Sequence, residues 1–237
     1  LENTSENFQR LKWLTGFTGS AGYLIVTLNN LYLFVDSRYS IQSKIETKGL
    51  KIIILNVAEL DFEKFIKLNK LKTRNIALDS KTISYKLFLS FENVAQFSKL
   101  KIISLKNNLV DFIWNRNMKT QNTNEIFMLE QKYCGLSFDN KLQKLLMFLK
   151  NKNADSIFIQ NSESVSWLFN IRGADLLYTP ITFAYSLISK KYIYIFLENP
   201  KSAKSIISFF SKKIKILSFL ELEKTLKKLN IKEDKIL

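Results

Sequence analysis

Three glycines spaced by three residues are the first feature of this chain that could do chemistry. Gly16, Gly19 and Gly22 lie in the stretch Trp13–Gly22. Glycine-rich loops bind phosphate when they lie between a strand and the N-terminus of a helix, where backbone N–H groups face the anion. Here an apolar run follows Gly22, and there is no Gly-Lys-Ser/Thr ending. The pattern therefore favours a tightly packed turn before a strand over a nucleotide site.

Two motifs that combine arginine with aspartate are the other candidates for binding. Residues 36–39 (Asp-Ser-Arg-Tyr) follow an apolar run, and charged residues at the ends of strands in α/β sheets often face a cleft. Asp36 suits a helix N-cap, and Arg38 is either a surface residue or a side chain presented to a substrate or a neighbouring domain. Arg172 and Asp175 flank a second turn, where they form either a local ion pair or a bidentate site for a carboxylate.

The composition removes several classes of catalysis. The 237 residues include no histidine, which excludes a His general base, a Ser-His-Asp triad and a His-ligated metal. Asp and Glu form no tight cluster with ligand spacing, so we expect no catalytic residue and no metal ligand in this chain. The single Cys134 cannot form an intramolecular disulfide, and a cytoplasmic location is the simplest expectation. The sequence contains no run of 18 apolar residues, so no membrane span is predicted.

The net charge of +15, from 36 Lys and Arg against 21 Asp and Glu, raises the question of a polyanion partner. Only five of the basic residues are arginine, and the lysines are scattered. Specific nucleic-acid recognition uses arginine forks and clustered basic faces. We therefore interpret the charge as a solvated basic surface and expect no specific nucleic-acid partner. Non-specific polyanion binding is the weaker alternative.

The elements that would position these motifs alternate between strand and helix patterns. A β-hairpin is predicted over residues 23–35, followed by a helix over 38–48 and a strand near Ile52; a second hairpin over 182–197 precedes a strand near Ile214. This order predicts an α/β fold with two domains, each a mixed β-sheet flanked by helices. The polar stretch 115–124 marks the boundary. We therefore predict a first domain over residues 1–115, a linker over 116–127 and a second domain over 128–237.

The two predicted domains share an order of features that indicates an internal repeat. Trp13 with Gly16 precedes the first hairpin, and Trp167 with Gly173 precedes the second. The spacing from the tryptophan to the last strand is 39 residues in one domain and 47 in the other, a difference that loops can absorb. A helix and a strand are predicted before Trp167, whereas only twelve residues precede Trp13. We therefore expect the first domain to lack its N-terminal helix and strand.

Together these motifs resemble one known family, the Xaa-Pro aminopeptidases (aminopeptidase P). Residues 10–22 and 34–42 resemble its first domain, although Val35 and Ser37 depart from the usual Thr-Asp-Gly-Arg-Tyr pattern. Residues 108–114 resemble the segment that closes that domain, and residues 133–135, the helix with Lys141 and residues 166–175 resemble the second domain. The motif positions that carry the likeness, besides Arg38, are Trp13, Gly16, Gly19, Gly22, Asp36, Tyr39, Trp167, Asn170, Arg172, Gly173 and Asp175.

The resemblance implies two creatinase N-terminal-like domains ahead of a third, pita-bread catalytic domain. That domain binds two metal ions, usually Mn²⁺, and removes the N-terminal residue from peptides with proline second. This chain would be the non-catalytic region that caps the active-site cleft, restricts the substrate and supports a homodimer, with Arg38 facing the cleft. Its implied partners are the catalytic domain, in the same or a separate chain, and the peptide substrate. A free-standing relic or adaptor from a split gene is the alternative.

Overall fold

The computed structural model describes residues 4, 6–69, 75–114, 125–210, 214–229 and 235–236. Backbone contacts divide the chain into an N-terminal unit, Glu2–Asn117, and a C-terminal unit, Met118–Leu237. The division falls within residues 115–124, which lie outside the described residues, so the domain limits given above stay a prediction. The predicted α/β class is confirmed, because each unit has a mixed sheet with helices packed on it. Among the described helices, none is both long and apolar enough to cross a bilayer.

The N-terminal unit is built on the predicted hairpin. Its elements are the 3₁₀ turn Glu6–Phe8, α1 (Arg10–Thr15), β1 (Gly22–Val26), β2 (Leu31–Val35), the 3₁₀ turn Ser37–Tyr39, α2 (Ser40–Glu46), β3 (Ile52–Asn56), α3 (Phe62–Asn69), β4 (Asn75–Asp79), α4 (Tyr85–Phe97), β5 (Lys101–Leu105) and α5 (Leu109–Ile113). The hairpin is antiparallel and β3 pairs parallel with β2, which gives the order β1-β2-β3. β4 and β5 form a separate parallel pair.

β2 is the buried strand of this unit because both of its faces are covered. Phe34 packs with Phe65 and other side chains of α3 on one face. Leu33 and Val35 pack with Phe17 on the other. Alternate residues of a strand point to opposite faces, so a strand that is covered on both sides reads as a continuous apolar run. Leu31–Val35 is such a run, which is why its limits were predictable.

The C-terminal unit repeats this plan with one strand more. Its elements are β6 (Phe127–Met128), the 3₁₀ turn Gln131–Tyr133, α6 (Phe138–Asn151), β7 (Ser156–Ile159), α7 (Ser162–Phe169), β8 (Ile171–Arg172), β9 (Ala184–Ser189), β10 (Ile193–Leu197), the 3₁₀ helix Pro200–Phe209, β11 (Ile214–Ser218), the 3₁₀ turn Phe219–Glu221 and α8 (Leu222–Lys228). The main sheet has the order β11-β10-β9-β7, and β6 pairs with β8. Apolar side chains of α7, β9 and β10 form the core.

The repeat is closer in the structure than in the sequence patterns. The strands β9, β10 and β11 each begin 162 residues after β1, β2 and β3, at Ala184, Ile193 and Ile214 against 22, 31 and 52. The strands therefore begin at the same relative positions in both units, although β9 has six residues against five in β1, and the 3₁₀ helix Pro200–Phe209 stands where the N-terminal unit has α2. The whole difference in spacing lies between the tryptophan and the hairpin. Gly16 ends α1 and Asn170 ends α7, each in a left-handed conformation, with φ of 80° and 55° respectively. Asn170, not Gly173, is therefore the residue equivalent to Gly16.

One local prediction differs from the structure. The helix expected over 38–48 is a 3₁₀ turn followed by the short α2, and Ile41 and Ile45 on it are 76% and 68% exposed. Ser43 and Thr47 are buried instead, and α2 contacts β3; small side chains let a helix approach a sheet closely. Ile126, which falls in the predicted linker, is buried in the C-terminal unit and donates its N–H to Ser202 O (2.9 Å).

A bidentate ion pair fastens α5 to α1 in the N-terminal unit. Arg10 Nε and Nη2 donate to Asp111 Oδ1 and Oδ2 at 2.7 and 2.8 Å, and the hydrogen bonds raise the pKa of Arg10 despite its partial burial. Beside the pair, Trp13 stacks on Trp114 with ring centroids 5.5 Å apart. Partly buried, charge-assisted pairs with this geometry contribute more than exposed pairs.

Asp111→Asn is expected to lower the free energy of unfolding of the N-terminal unit by about 1–2 kcal/mol, because one charge-assisted hydrogen bond is lost and the other weakened. Urea unfolding monitored by tryptophan fluorescence measures the change. The control is Glu223→Gln, which removes the exposed pair with Lys227 and should leave the midpoint unchanged. An unchanged midpoint in Asp111→Asn would contradict the assigned role.

Candidate functional site

The candidate site is the surface formed by the loop 16–22 and the segment 36–46, which we call the loop–helix surface. β2 ends at Val35, and the chain turns there because Asp36 Oδ1 accepts a hydrogen bond from the N–H of Arg38 (3.0 Å). The same oxygen accepts from Arg38 Nε at 2.9 Å. Hydrogen bonds from the Arg38 side chain and backbone lower the pKa of the Asp36 carboxyl. Asp36 is thus an N-cap, as predicted, and it also orients Arg38.

Arg38 lies on the surface with its side chain 67% exposed. Its guanidinium carbon lies 5.5 Å from the centre of the Tyr39 ring, while its Nε contacts Asp36. An aromatic face and a carboxylate therefore restrain the position of the cation. A guanidinium keeps its charge at all ordinary pH values and matches the geometry of a carboxylate. This arrangement can bind a carboxylate of a peptide or of another domain.

The glycines of the loop are required by space. The backbone of Gly16 has φ of 80°, which side chains rarely adopt. A Cβ on Gly19 would lie within 2.2 Å of the Phe17 ring, and one on Gly22 within 2.9 Å of Phe34 O. Phe17 is only 1% exposed. The loop therefore folds around a buried ring, which agrees with the predicted structural turn.

The orientation of the loop differs from that of a phosphate loop. It begins at the C-terminal end of α1 and leads directly into β1. The C-terminal end of a helix carries partial negative charge, and phosphate is bound at N-terminal ends. The loop therefore adjoins the end of α1 that does not attract an anion.

Hydrogen bonds tie the loop to α2. Thr18 donates its N–H and its hydroxyl to Glu46, and Gln42 Nε2 donates to Thr18 Oγ1 (2.9 Å) and Glu46 Oε1 (3.0 Å). Partial burial raises the pKa of the Glu46 carboxyl, but the hydrogen bonds from Thr18 and Gln42 outweigh burial and the net pKa is lowered. Ser20 Oγ and Tyr39 Oη lie 2.7 Å apart. Arg38 and Tyr39 therefore stand beside a cross-linked loop.

The second arginine–aspartate motif does not form the ion pair that we considered. Arg172 Nη1 donates to the backbone oxygens of Ile171 (2.8 Å) and Ser166 (3.3 Å). Asp175 Oδ2 accepts hydrogen bonds from Thr182 Oγ1 (2.9 Å) and from the N–H of the residue that follows Thr182 (2.7 Å). Burial raises the pKa of the Asp175 carboxyl. The two side chains bind different parts of the segment, because each has a hydrogen-bond partner in the backbone that lies nearer than the other side chain.

The same segment is packed closely against residues 181–182, which precede β9. A Cβ on Gly173 would lie 2.9 Å from the Cβ of Thr182. The nearby Glu198 has a raised pKa, caused by burial and then by the charge of Asp175. The predicted motif residues of the C-terminal unit lie together at one structured turn: Trp167, Asn170, Arg172, Gly173 and Asp175.

Lys141 is the residue that the sequence analysis missed. It is 3% exposed, and its Nζ donates to Trp167 O and Asn170 Oδ1, both at 2.6 Å. Nζ also lies 4.1 Å from the centre of the Trp167 ring, and Asn170 Nδ2 donates to Leu136 O (3.0 Å). Burial lowers the pKa of the Lys141 ammonium. The signal was its position in the apolar stripe of α6, four residues before Leu145.

The residues present do not fit a metal centre. Among the described part of the chain, no group of three or more Cys, Asp, Glu or His side chains is placed to hold a metal ion. The sequence contains no histidine. We therefore derive no metal-dependent step for this chain.

Comparisons with known proteins agree with the two-unit architecture. The creatinase/prolidase N-terminal domain family matches the chain twice, over residues 5–111 and 117–237. A probable Xaa-Pro aminopeptidase P of Laccaria bicolor is 30% identical over 193 residues, 81% of this chain and 30% of the relative. Another, of Coprinopsis cinerea, is 27% identical over 225 residues, 93% of this chain and 36% of the relative. The chain thus spans about a third of the length of these relatives.

One solved structure shares the fold over nearly the full chain. It is an X-prolyl aminopeptidase from Caenorhabditis elegans, described as a cytosolic enzyme with a di-nuclear active site. The superposition has a TM-score of 0.87 at 24% identity and covers 99% of this chain and 39% of that chain. At this identity the likeness shows the fold, which is the creatinase N-terminal-like fold that the sequence motifs predicted.

Lys141→Met is expected to lower the free energy of unfolding of the C-terminal unit by about 2–4 kcal/mol, because two buried oxygens, Trp167 O and Asn170 Oδ1, lose their donor. Chemical unfolding measures the effect. Lys144→Met on the exposed face of the same helix is the matched control and should change stability little. If both variants unfold at the same denaturant concentration, Lys141 does not hold the turn.

Proposed function

The chain belongs to the creatinase/prolidase N-terminal domain family, and from this we propose that it is the non-catalytic N-terminal region of a Xaa-Pro aminopeptidase. In that role it caps the active-site cleft, restricts which peptides enter and supports a homodimer. One observation carries the proposal: both units match the N-terminal domain of the family, while the relatives are about three times longer than this chain.

Hydrolysis in this proposal belongs to a separate catalytic domain. That domain would hold two divalent metal ions, Mn²⁺ or similar, which would supply a nucleophile from bound water. The described residues of this chain offer no metal site, so their contribution is binding and exclusion. The proposed substrate is a peptide with proline second. The proposed location is the cytoplasm, which suits the free thiol of Cys134.

Arg38 is the residue that we propose to face the cleft and contact the substrate. Asp36 and the Tyr39 ring restrain the position of its guanidinium group. The neighbouring loop is fixed to α2 by hydrogen bonds to Glu46. A restrained cation at the edge of a cleft attracts a peptide carboxylate and costs little ordering on binding. This is how a domain without catalytic residues can restrict the substrate.

The purified chain is expected to release no arginine from an Arg-Pro-Pro peptide in the presence of Mn²⁺, because its described residues include no group of side chains placed to hold a metal ion. A full-length Xaa-Pro aminopeptidase assayed in parallel is the positive control. Turnover that survives further purification and co-elutes with the chain would contradict the proposal.

Affinity purification of the tagged chain from its own cells distinguishes a catalytic domain in the same chain (in cis) from one in a separate chain (in trans). Recovery of a catalytic-domain polypeptide together with Xaa-Pro aminopeptidase activity supports assembly in trans. If the tagged polypeptide itself is longer and active, the domains act in cis. An inactive chain that recovers no such polypeptide would favour the alternative, a free-standing relic or an adaptor with another role.

Arg38→Ala in the active assembly is expected to raise the KM for Arg-Pro-Pro about tenfold, because one charge-assisted contact to the substrate is lost. The thermal midpoint should stay the same, since the side chain is exposed. Lys48→Ala, which removes an exposed cation just beyond α2, is the control. An unchanged KM in Arg38→Ala would show that Arg38 does not contact the substrate.

A further inference from the structure

A cleft in the C-terminal unit lies between the end of α6 and the turn that joins β9 to β10. Its volume is about 460 Å³, which is within the range of small-molecule sites. Its lining comes from α6, the segment after it and the hairpin turn: Leu146, Leu149, Lys150, Asn153, Ala154, Asp155, Ser189, Lys190, Lys191 and Tyr192. Neither the loop–helix surface nor the turn after α7 includes any of these residues. The cleft is therefore a separate candidate for binding.

The charge of the cleft is positive. Three exposed lysines line it: Lys150, Lys190 and Lys191. Lys235 Nζ donates to the carbonyl oxygen of Lys152 (3.2 Å), which places two more lysines at the C-terminal end of α6. Among the described lining residues only Asp155 is acidic, and its Oδ2 accepts a hydrogen bond from the N–H of Lys235 (3.0 Å). The described lysines at the cleft thus outnumber its carboxylate.

The C-terminal end of α6 opposes an anion only weakly. A helix end carries about half a negative charge, which comes from carbonyl groups without an intrahelical partner. Asn153 N donates to Lys150 O (3.1 Å). Ala154 N donates to Leu149 O (3.0 Å). These hydrogen bonds satisfy carbonyl groups of the last turn, and the charge of the lining lysines exceeds what remains.

The hairpin turn holds the backbone of two lysines in place. Ser189 Oγ accepts hydrogen bonds from the N–H of Lys191 (3.0 Å) and from the N–H of Tyr192 (3.1 Å). Ser189 N donates to Tyr192 O (2.9 Å). Tyr192 also stacks on Tyr194, with ring centroids 5.3 Å apart. Because the backbone at Lys190 and Lys191 is fixed before any ligand binds, less ordering is needed on binding.

The residue types in the cleft indicate the chemistry of a ligand. Lysine binds phosphate as a point charge, whereas the planar fork of arginine matches a carboxylate. The described lining contains lysines and no arginine. Several ammonium groups around one cleft match a ligand with several negative charges. Leu146, Leu149 and Tyr192 add an apolar wall, which suits the organic part of such a ligand.

We propose that this cleft binds a small ligand with linked phosphate groups. The phosphates lie between Lys150 of α6 and the lysine pair Lys190 and Lys191 of the hairpin turn, which neutralise their charge. Where the ligand is a nucleotide, its base lies against the apolar wall. Inorganic polyphosphate has the same phosphate chemistry and lacks that contact.

Titration calorimetry of the chain with sodium tripolyphosphate, at about 50 mM salt and without divalent cations, tests the proposal. Lys190→Gln together with Lys191→Gln is expected to weaken binding about tenfold or more, because two charge-assisted contacts are lost. The thermal midpoint should stay the same, since both side chains are exposed and Ser189 binds the backbone of the turn. Amide NMR shifts caused by tripolyphosphate should centre on residues 150–154 and 189–192.

The matched control is Lys48→Gln together with Lys51→Gln, two exposed lysines of the N-terminal unit. It changes the net charge by the same amount. Its affinity for tripolyphosphate should stay within about twofold of that of the unchanged chain, because screened charges outside the cleft contribute little. Equal weakening in the two double variants would show non-specific attraction to the basic chain and would overturn the proposal.

ATP in place of tripolyphosphate distinguishes the two sources of the phosphates. Tighter binding of ATP supports a nucleotide ligand whose base contacts the apolar wall. Equal or weaker binding of ATP supports recognition of the phosphates alone. No binding of either compound, or amide shifts centred outside the cleft, would contradict the proposal.

Discussion

Main-chain hydrogen bonding along strand edges is the constraint on which both units depend. A hairpin pairs its second strand on one edge only, and the parallel strand that returns through a helix pairs the other. β2 and β10 therefore become the central, fully covered strands, with Phe34 and Phe196 among their buried side chains. The two units differ at the next edge, where β9 has β7 and β1 has no described neighbour.

The turn that follows α1 in one unit and α7 in the other has the same backbone conformation but is formed by different residues. Each helix ends in a left-handed residue, Gly16 in one unit and Asn170 in the other. Glycine adopts this conformation without steric cost. Asparagine also adopts it, and its side chain adds hydrogen bonds to Lys141 and Leu136 that replace the loop contacts through Glu46. Gly16 and Asn170 are therefore structural residues, whereas Arg38 is exposed and is restrained by Asp36 and Tyr39.

What could be predicted from the sequence depended on local signals. The hairpins predicted over residues 23–35 and 182–197 lie at residues 22–35 and 184–197, because apolar runs define them. The burial of α2 could not be predicted from apolar spacing, because the helix buries Ser43 and leaves Ile41 and Ile45 exposed. The burial of Lys141 depends on contacts with residues far along the chain, whereas Arg172 and Asp175 bind partners within eight residues of themselves, in a local backbone geometry that the residue pattern does not specify. The role of Arg38 stays a prediction.

The central claim is that one fold occurs twice and that, among the described residues, the outer edge of the hairpin is paired only in the C-terminal copy. Global amide exchange of the central strands tests it most directly. Phe34 of β2 and Phe196 of β10 occupy equivalent buried positions. The account predicts clearly faster exchange at Phe34, because a sheet with an unpaired edge opens at lower free energy. Equally strong protection at both positions would contradict it.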